Sequence, residues 1–290
     1  MAPVDKPVDA SVTSAAGVAL PRLLYGTAWK KTDTGRLVTI AVREGFRGID
    51  TACQPRHYDE AGVGAGVAVA LGAGLSRSDL YLQTKFTPLQ GQDPARVPYD
   101  PRAPLHEQIA QSFAASLQNL RTDYLDCLVL HSPLATLGET LRAWECMESL
   151  AASGGVRQLG ISNCYEPAFL EAMYRAVRIK PAVIQNRFHA ETSYDRELRA
   201  FCRRERIIYQ SFWTLTANPR VLAHPAMLAI ASRLERTPAQ VLFRYLIESE
   251  VVPLTGTRSV EHMRDDLAAF DFELSPADRQ AVAGLLGEDA

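Results

Sequence analysis

YLDCLVLH (124–131) and VRQLGIS (156–162) are short apolar runs separated by a segment long enough for one helix, and the same unit recurs in both directions along the chain. Comparable runs are LLYG (23–26), FRGID (46–50) and LYLQTK (80–85) upstream, and AVIQN (182–186), IIYQSF (207–212) and VVPLTG (251–256) downstream. Such near-continuous apolar strands suit a parallel sheet covered on both faces, with helices as the crossovers. The intervening segments carry a helical pattern: Ile109, Phe113, Leu117 and Leu120 recur on one face of 105–120, and 238–247 opens with Thr237-Pro238 as N-cap and first-turn proline. Eight strand–helix units predict an α/β fold, a closed (β/α)8 TIM barrel. An open doubly wound sheet divides into halves, but no Pro/Gly/Ser linker or composition shift marks a boundary here. Residues 20–290 are therefore read as one barrel domain behind a flexible N-terminal arm over 1–19.

At 290 residues and 47% hydrophobic content, the chain can bury a core of that size. A formal charge of −2, from 31 basic and 33 acidic residues without long runs, argues against nucleic-acid or membrane partners and for a small, roughly neutral one. Cys53, Cys127, Cys146, Cys164 and Cys202 include no C-x-x-C pair, so they read as reduced thiols of a cytoplasmic protein. The first twenty residues contain Asp5, Lys6 and Asp9 and resemble neither a secretory signal nor a membrane anchor.

A barrel of this kind carries its active site at the C-terminal ends of its strands. The second strand ends in Asp50, the third in Lys85 and the fourth in His131; the fifth leads into Ser162-Asn163 and the sixth ends in Gln185-Asn186. A single polar residue at a strand end is explained by solvation or by capping, and for Asn163 alone the cap is the better reading. An acid, a lysine and a histidine on three consecutive strands all point into one bowl, which favours function. The remaining histidines lack metal-ligand spacing, and the Cys53/His57 pair stands apart from any second pair, so no metal is expected. AGVGAGVAVALGAG (61–74) fails as a dinucleotide-binding turn because Val67 and Val69 stand where the third glycine belongs, leaving a closely packed small-residue helix.

GIDTA (48–52), TK (84–85), LHSP (130–133), GISN (160–163), IQN (184–186) and GTRSVEH (256–262) together resemble the aldo-keto reductase superfamily over residues 20–285. The resemblance implies NAD(P)H-dependent reduction of a small-molecule carbonyl substrate, an aldehyde or ketone. Tyr58 would then be the proton donor, Lys85 and Asp50 a buried pair beside it, and His131 the group orienting the carbonyl oxygen. A free phenol ionises near pH 10, and an adjacent ammonium is expected to lower that value. The family's tyrosine follows its aspartate more closely; here DTACQPRHYDE places Tyr58 eight residues after Asp50, with His57 as a poorer substitute donor.

For the cofactor, the resemblance assigns Ser162, Asn163 and Gln185 to the carboxamide and Phe212 to stacking on the nicotinamide. Gly26, Thr27, Asp50, Trp213 and Leu215 are further contacts, and Gly256, Thr257, Arg258 and His262 surround the phosphates. Arg258 favours NADPH, with NADH possible. Leu254-Thr255 replaces the family's lysine-serine pair. Asp265 and Asp266 fall at adenine contacts but read equally well as solvated helix charges. The family's long C-terminal loop is not recognisable, so an open pocket is expected, with Leu89 and Tyr99 of the 86–104 loop as candidate walls. Two other functions stay in view: a regulatory member that binds cofactor with little turnover, and Schiff-base chemistry at Lys85, which Asp50 would oppose.

Overall fold

Eight parallel strands close into a barrel in the computed structural model, which describes residues 10–288. A hairpin of β1 (Ser11–Thr13) and β2 (Ala19–Pro21) precedes it. The first half of the barrel comprises β3 (Leu24–Gly26), α1 (Thr34–Glu44), β4 (Gly48–Asp50), α2 (Glu60–Gly72), β5 (Tyr81–Phe86), α3 (Leu105–Leu120), β6 (Cys127–Leu130) and α4 (Leu137–Ala152). The second comprises β7 (Leu159–Ser162), α5 (Pro167–Ala176), β8 (Val183–Arg187), α6 (Arg196–Glu205) and β9 (Ile208–Phe212), with α7 (Pro219–Leu222), α8 (Pro225–Leu234) and α9 (Pro238–Glu248) before β10 (Val251–Thr255). Helices α10 (Val260–Leu267) and α11 (Pro276–Leu285) complete the outer layer. Pairing runs in chain order from β3 to β10, and β10 returns to β3. All eight expected strands are present.

The arm expected over 1–19 is revised where it is described. Residues 1–9 lie outside the described residues, but from Ser11 the chain forms the antiparallel hairpin, turned at Gly17 with φ +77°. Its Val18 and Leu20 join Leu24, Tyr81, Cys127, Val183 and Ile208 in one buried cluster. The hairpin therefore closes the end of the barrel opposite the active-site loops, giving those inward side chains an apolar cover that a loose arm could not provide.

Parallel pairing sets Asp50 opposite Gln83 and Gln185 opposite Gln210, so four polar side chains share one level of the interior. The small-residue helix α2 packs as its composition requires. A Cβ at Gly64 would lie 2.0 Å from the Asn119 carbonyl oxygen, and one at Gly66 would lie 2.8 Å from that of Gly35. Both glycines thus hold neighbouring helices at backbone contact distance. Gly64→Ala is expected to lower stability by about 1–3 kcal/mol through overpacking. Gly72→Ala, with open space around it, should be neutral or stabilising by about 0.5–1 kcal/mol. Paired urea denaturation curves test this; equal midpoints for the two variants would refute the close helix contact.

Candidate active site

Asp50 and Lys85 meet inside the barrel mouth. Lys85 Nζ donates to Asp50 Oδ1 and Oδ2, each at 2.7 Å, and to the Thr51 carbonyl at 2.8 Å. The three ammonium protons thereby find three acceptors, an arrangement opposed to the Schiff-base alternative, which needs a free amine lone pair. Asp50 Oδ1 also accepts from Gln83 Nε2 at 2.7 Å and Gln185 Nε2 at 2.9 Å. Both amides donate further to Gln210 Oε1, which completes a hydrogen-bonded floor across four strands.

The long connection after Asp50 contracts into one turn. His57 and Tyr58 backbone N–H groups both donate to the Gln54 carbonyl, at 3.2 and 3.1 Å, so the additional residues form a surface knuckle that returns the chain to the mouth. Tyr58 then stands with its ring centroid 5.3 Å from Lys85 Nζ and 6.0 Å from the His131 ring. The ammonium faces the ring, and its hydrogen bonds go to Asp50 and Thr51. The expectation that Lys85 would lower the phenol pKa is also revised: burial first, and then the Asp50 charge, raise it well above the ordinary value. Tyr58 is accordingly a protonated phenol at rest.

His131 is held in the neutral form. Burial, followed by the charges of Lys85 and His57, pushes its imidazole down to about 3. Its Nδ1 lies 2.6 Å from the Thr87 hydroxyl. His57 itself packs against the Trp29 ring at 3.9 Å, on the cleft wall beside Tyr58.

From this group a cleft of about 890 Å³ runs across the barrel mouth to the start of α10. It is lined by Gly26, Asp50, Ser162, Asn163, Gln185, Phe212, Trp213 and Leu215, and farther along by Gly256, Thr257, Arg258, His262, Asp265 and Asp266. Thr27 is the exception among the expected cofactor contacts. It is fully buried, and its hydroxyl donates to the Asp50 carbonyl at 2.9 Å, bracing β4 from behind. Asn163 is not a helix cap: the N-cap position of α5 is Glu166, while Asn163 adopts φ +53° and donates to the His131 carbonyl at 2.8 Å. Ser162 Oγ donates to the Gln185 carbonyl at 2.6 Å. Arg258 is ion-paired with Asp33 at the rim. Asp266, largely buried at the far end, is raised to about 6 by desolvation and accepts from Thr255 Oγ1.

The 86–104 loop supports the site from outside the cleft. Tyr99 donates to the Thr87 carbonyl at 2.8 Å and packs on Phe86, while Leu89 is exposed, so neither lines the cleft. Gln54 Nε2 donates to the Gly91 carbonyl and Gln92 Nε2 to that of Cys53, which ties this loop to the turn carrying Tyr58.

Several residues in or beneath the cleft escaped the sequence reading. Gln83 and Gln210 belong to the floor and were detectable as inward positions on β5 and β9. Thr87, two residues beyond Lys85, orients His131. Lys30 is buried in the cleft wall, donates to the Gly256 carbonyl at 2.8 Å, and is lowered to about 8 by desolvation and the Arg258 charge. In sequence it is one of two adjacent lysines beyond a strand end, a pattern ordinary at any surface. Arg187, at the end of β8, also lines the cleft.

Two measurements test this arrangement. Lys85→Met should cost about 3–5 kcal/mol in denaturant unfolding, because the Asp50 carboxylate is left buried without its cation. Adding Asp50→Asn should recover much of that loss, and a Lys85→Met variant of unchanged stability would refute the buried pair. The His131 imidazole resonances should show no protonation between about pH 8 and 5, where an ordinary histidine titrates; a midpoint near 6.5 would contradict a buried neutral ring.

Among the described residues, no group of three or more His, Cys, Asp or Glu side chains is arranged to hold a metal, and no helix is long and apolar enough to cross a membrane. The Aldo/keto reductase family model matches residues 23–286. The chain is similar to an aldo-keto reductase of Mycolicibacterium paratuberculosis, 32% identical over 87% of this chain and 81% of that one. It is also similar to the glyoxal reductase of Bacillus subtilis, 28% identical over 93% of this chain and 90% of that one. Among solved structures it is similar to an aldo/keto reductase from Brucella melitensis, at 26% identity and a TM-score of 0.80, covering 95% of this chain and 98% of that one. A match spanning all eight strand–helix units places the chain in the aldo/keto reductase family of oxidoreductases.

Proposed function

We propose that this protein reduces an aldehyde or ketone to the alcohol with a reduced nicotinamide cofactor, NADPH in preference to NADH, and with Tyr58 as the proton donor. The observation that carries the reading is the return of Tyr58, through the Gln54–His57 turn, to a position beside both Lys85 and His131. The similarity to a protein named glyoxal reductase supports a small carbonyl substrate. The five cysteines are all free thiols, in keeping with a cytoplasmic setting.

The lining of the cleft suits the chemistry of the cofactor. Ser162, Asn163 and Gln185 offer a polar seat for a carboxamide, and Phe212 offers an aromatic face. Lys30, Thr257 and Arg258 supply cationic and hydrogen-bonding groups for phosphates, Arg258 exchanging Asp33 for a phosphate oxygen. When bound, the cofactor supplies the hydride. Every other requirement falls on the chain itself.

The substrate oxygen would sit between the Tyr58 hydroxyl and His131 Nε2. In the tautomer whose Nδ1 accepts from the Thr87 hydroxyl, the proton of the neutral ring lies on Nε2, and His131 would then donate to the carbonyl oxygen. The raised pKa of Tyr58 keeps its proton in place until negative charge develops on that oxygen. Tyr58 then donates the proton, the alcohol forms, and the resulting phenolate is stabilised by the Lys85 ammonium over its ring. Asp50 and the surrounding amides act by holding Lys85 in position.

A panel of aldehydes and ketones with each cofactor, followed by nicotinamide absorbance, should reveal turnover that is stronger with NADPH. Tyr58→Phe should lower kcat by about 10²–10⁴ while still binding NADPH, as read by quenching of protein fluorescence. Full activity in Tyr58→Phe would remove the tyrosine from this role, and cofactor binding without turnover on any carbonyl would favour a regulatory protein.

A further inference from the structure

We propose that Arg187 makes the cleft selective for carbonyl substrates bearing a carboxylate, with the guanidinium as the group that binds it; the inference rests on the reductase reading above. Side chains alternate along β8. Gln185 points inward to the Asp50 floor, Asn186 points outward and donates to the Cys164 carbonyl and Asp195, and Arg187 points inward again. Arg187 therefore stands one inward step above Gln185, about 6.6 Å along the strand at the barrel mouth.

The surroundings of this guanidinium lack the partner that a buried cation requires. Its central carbon lies 4.2 Å from the centre of the Trp213 ring, so one face is stacked and fixed in orientation. Its Nε is buried and has no acceptor among the described residues, which also place no carboxylate within ion-pair distance. The other acid-lined parts of the cleft are elsewhere: Asp50 is engaged by Lys85, and Asp265 and Asp266 belong to α10. A partly buried guanidinium without a counter-ion is costly, and an entering carboxylate offsets that cost through charge and paired N–H donors.

Two anions meet this description, the substrate's carboxylate and the cofactor's pyrophosphate. Strand order favours the first. Arg187 stands over the carboxamide seat formed by β7 and β8, whereas the phosphate-binding groups follow β10 and β3, two and three strand spacings away, about 10 and 14 Å. Lys30 and Arg258 already supply cations there. Arg187 is thus a second positive site, located where the reacting end of the cleft opens to solvent. The bound carboxylate would position the carbonyl without taking part in hydride or proton transfer.

The test compares 4-carboxybenzaldehyde with methyl 4-formylbenzoate, which is similar in shape and uncharged. The protein should favour the acid by about ten- to a hundredfold in kcat/KM, the range of a hydrogen bond to a charged group. In Arg187→Met, which retains an apolar contact with Trp213, the acid-to-ester ratio should fall to near one through the KM for the acid. Arg187→Lys should restore part of it, and circular dichroism of both variants excludes misfolding as the cause. Calorimetry with terephthalate, a dicarboxylate with no carbonyl to reduce, gives a reading independent of turnover: binding to the unaltered protein and none to Arg187→Met. No acid preference in the unaltered protein, or an unchanged ratio in Arg187→Met, overturns the proposal. Weakened NADPH affinity with an unchanged ratio overturns it by assigning the anion to the cofactor. If no carbonyl compound is reduced, the reductase reading fails by itself, and the calorimetry still decides whether Arg187 is the carboxylate site.

Discussion

The site depends on one buried ion pair, Asp50 with Lys85, and on the glutamines that make it tolerable. Two charges withdrawn from water gain less from mutual attraction than they lose in hydration unless their remaining hydrogen-bonding capacity is filled. Here it is filled from several directions. Thr51 takes the third ammonium proton, Gln83 and Gln185 donate to the carboxylate, and Gln210 accepts from both amides. Because the partners come from β4, β5, β8 and β9, the barrel must close in the observed register for any one of them to be satisfied. The polar level thus specifies geometry as well as charge, while the apolar cluster and the β1–β2 hairpin beneath it keep the interior closed.

Above that floor, a rigid frame supports a site assembled partly from loops. The connection from Asp50 to Tyr58 tolerates its length because the additional residues turn outward around the Gln54 carbonyl, leaving both ends of the loop near the mouth. The 86–104 loop braces it through Gln54 to Gly91 and Gln92 to Cys53. Thr87 lies at the junction: its hydroxyl meets His131 Nδ1 and its carbonyl receives Tyr99. Tyr58 and His131, which converge from different strands, are therefore steadied by one neighbouring loop.

What was legible in the sequence follows from these physics. Strands buried on both faces must be continuously apolar, so all eight could be recognised, and the polar residues ending them had to face the mouth. The hairpin was missed because two three-residue strands leave almost no periodic trace among alanines and serines. Leu89 and Tyr99 were misjudged as cleft walls because proline content signals a loop without revealing which way it folds. Thr27 was misplaced by one pleat: it follows the inward Gly26, and its side chain turns behind the strand to Asp50. The direction of the Tyr58 shift could not be read either, since it depends on how far burial outweighs a cation held over the ring rather than at the hydroxyl.

Floor and rim differ in how their polar groups are satisfied, and that difference divides their roles. The floor amides donate to fixed acceptors and the ion pair is saturated, so a substitution there disturbs several strands together. At the rim, Trp29 and Trp213 are half exposed in left-handed backbone conformations, Arg258 is paired with a half-exposed Asp33, and Arg187 is stacked with no counter-ion among the described residues. Such groups can exchange partners at small cost to the fold, because each is anchored by one contact while its charge or aromatic face remains available. Chemistry that must not vary is consequently supported by the closed network, whereas the side chains that meet variable parts of a ligand lie beyond it. Arg187 occupies the boundary, on the same strand as a floor glutamine and one inward position above it, which is where a fixed reaction centre and a substrate-dependent contact can be held in constant register.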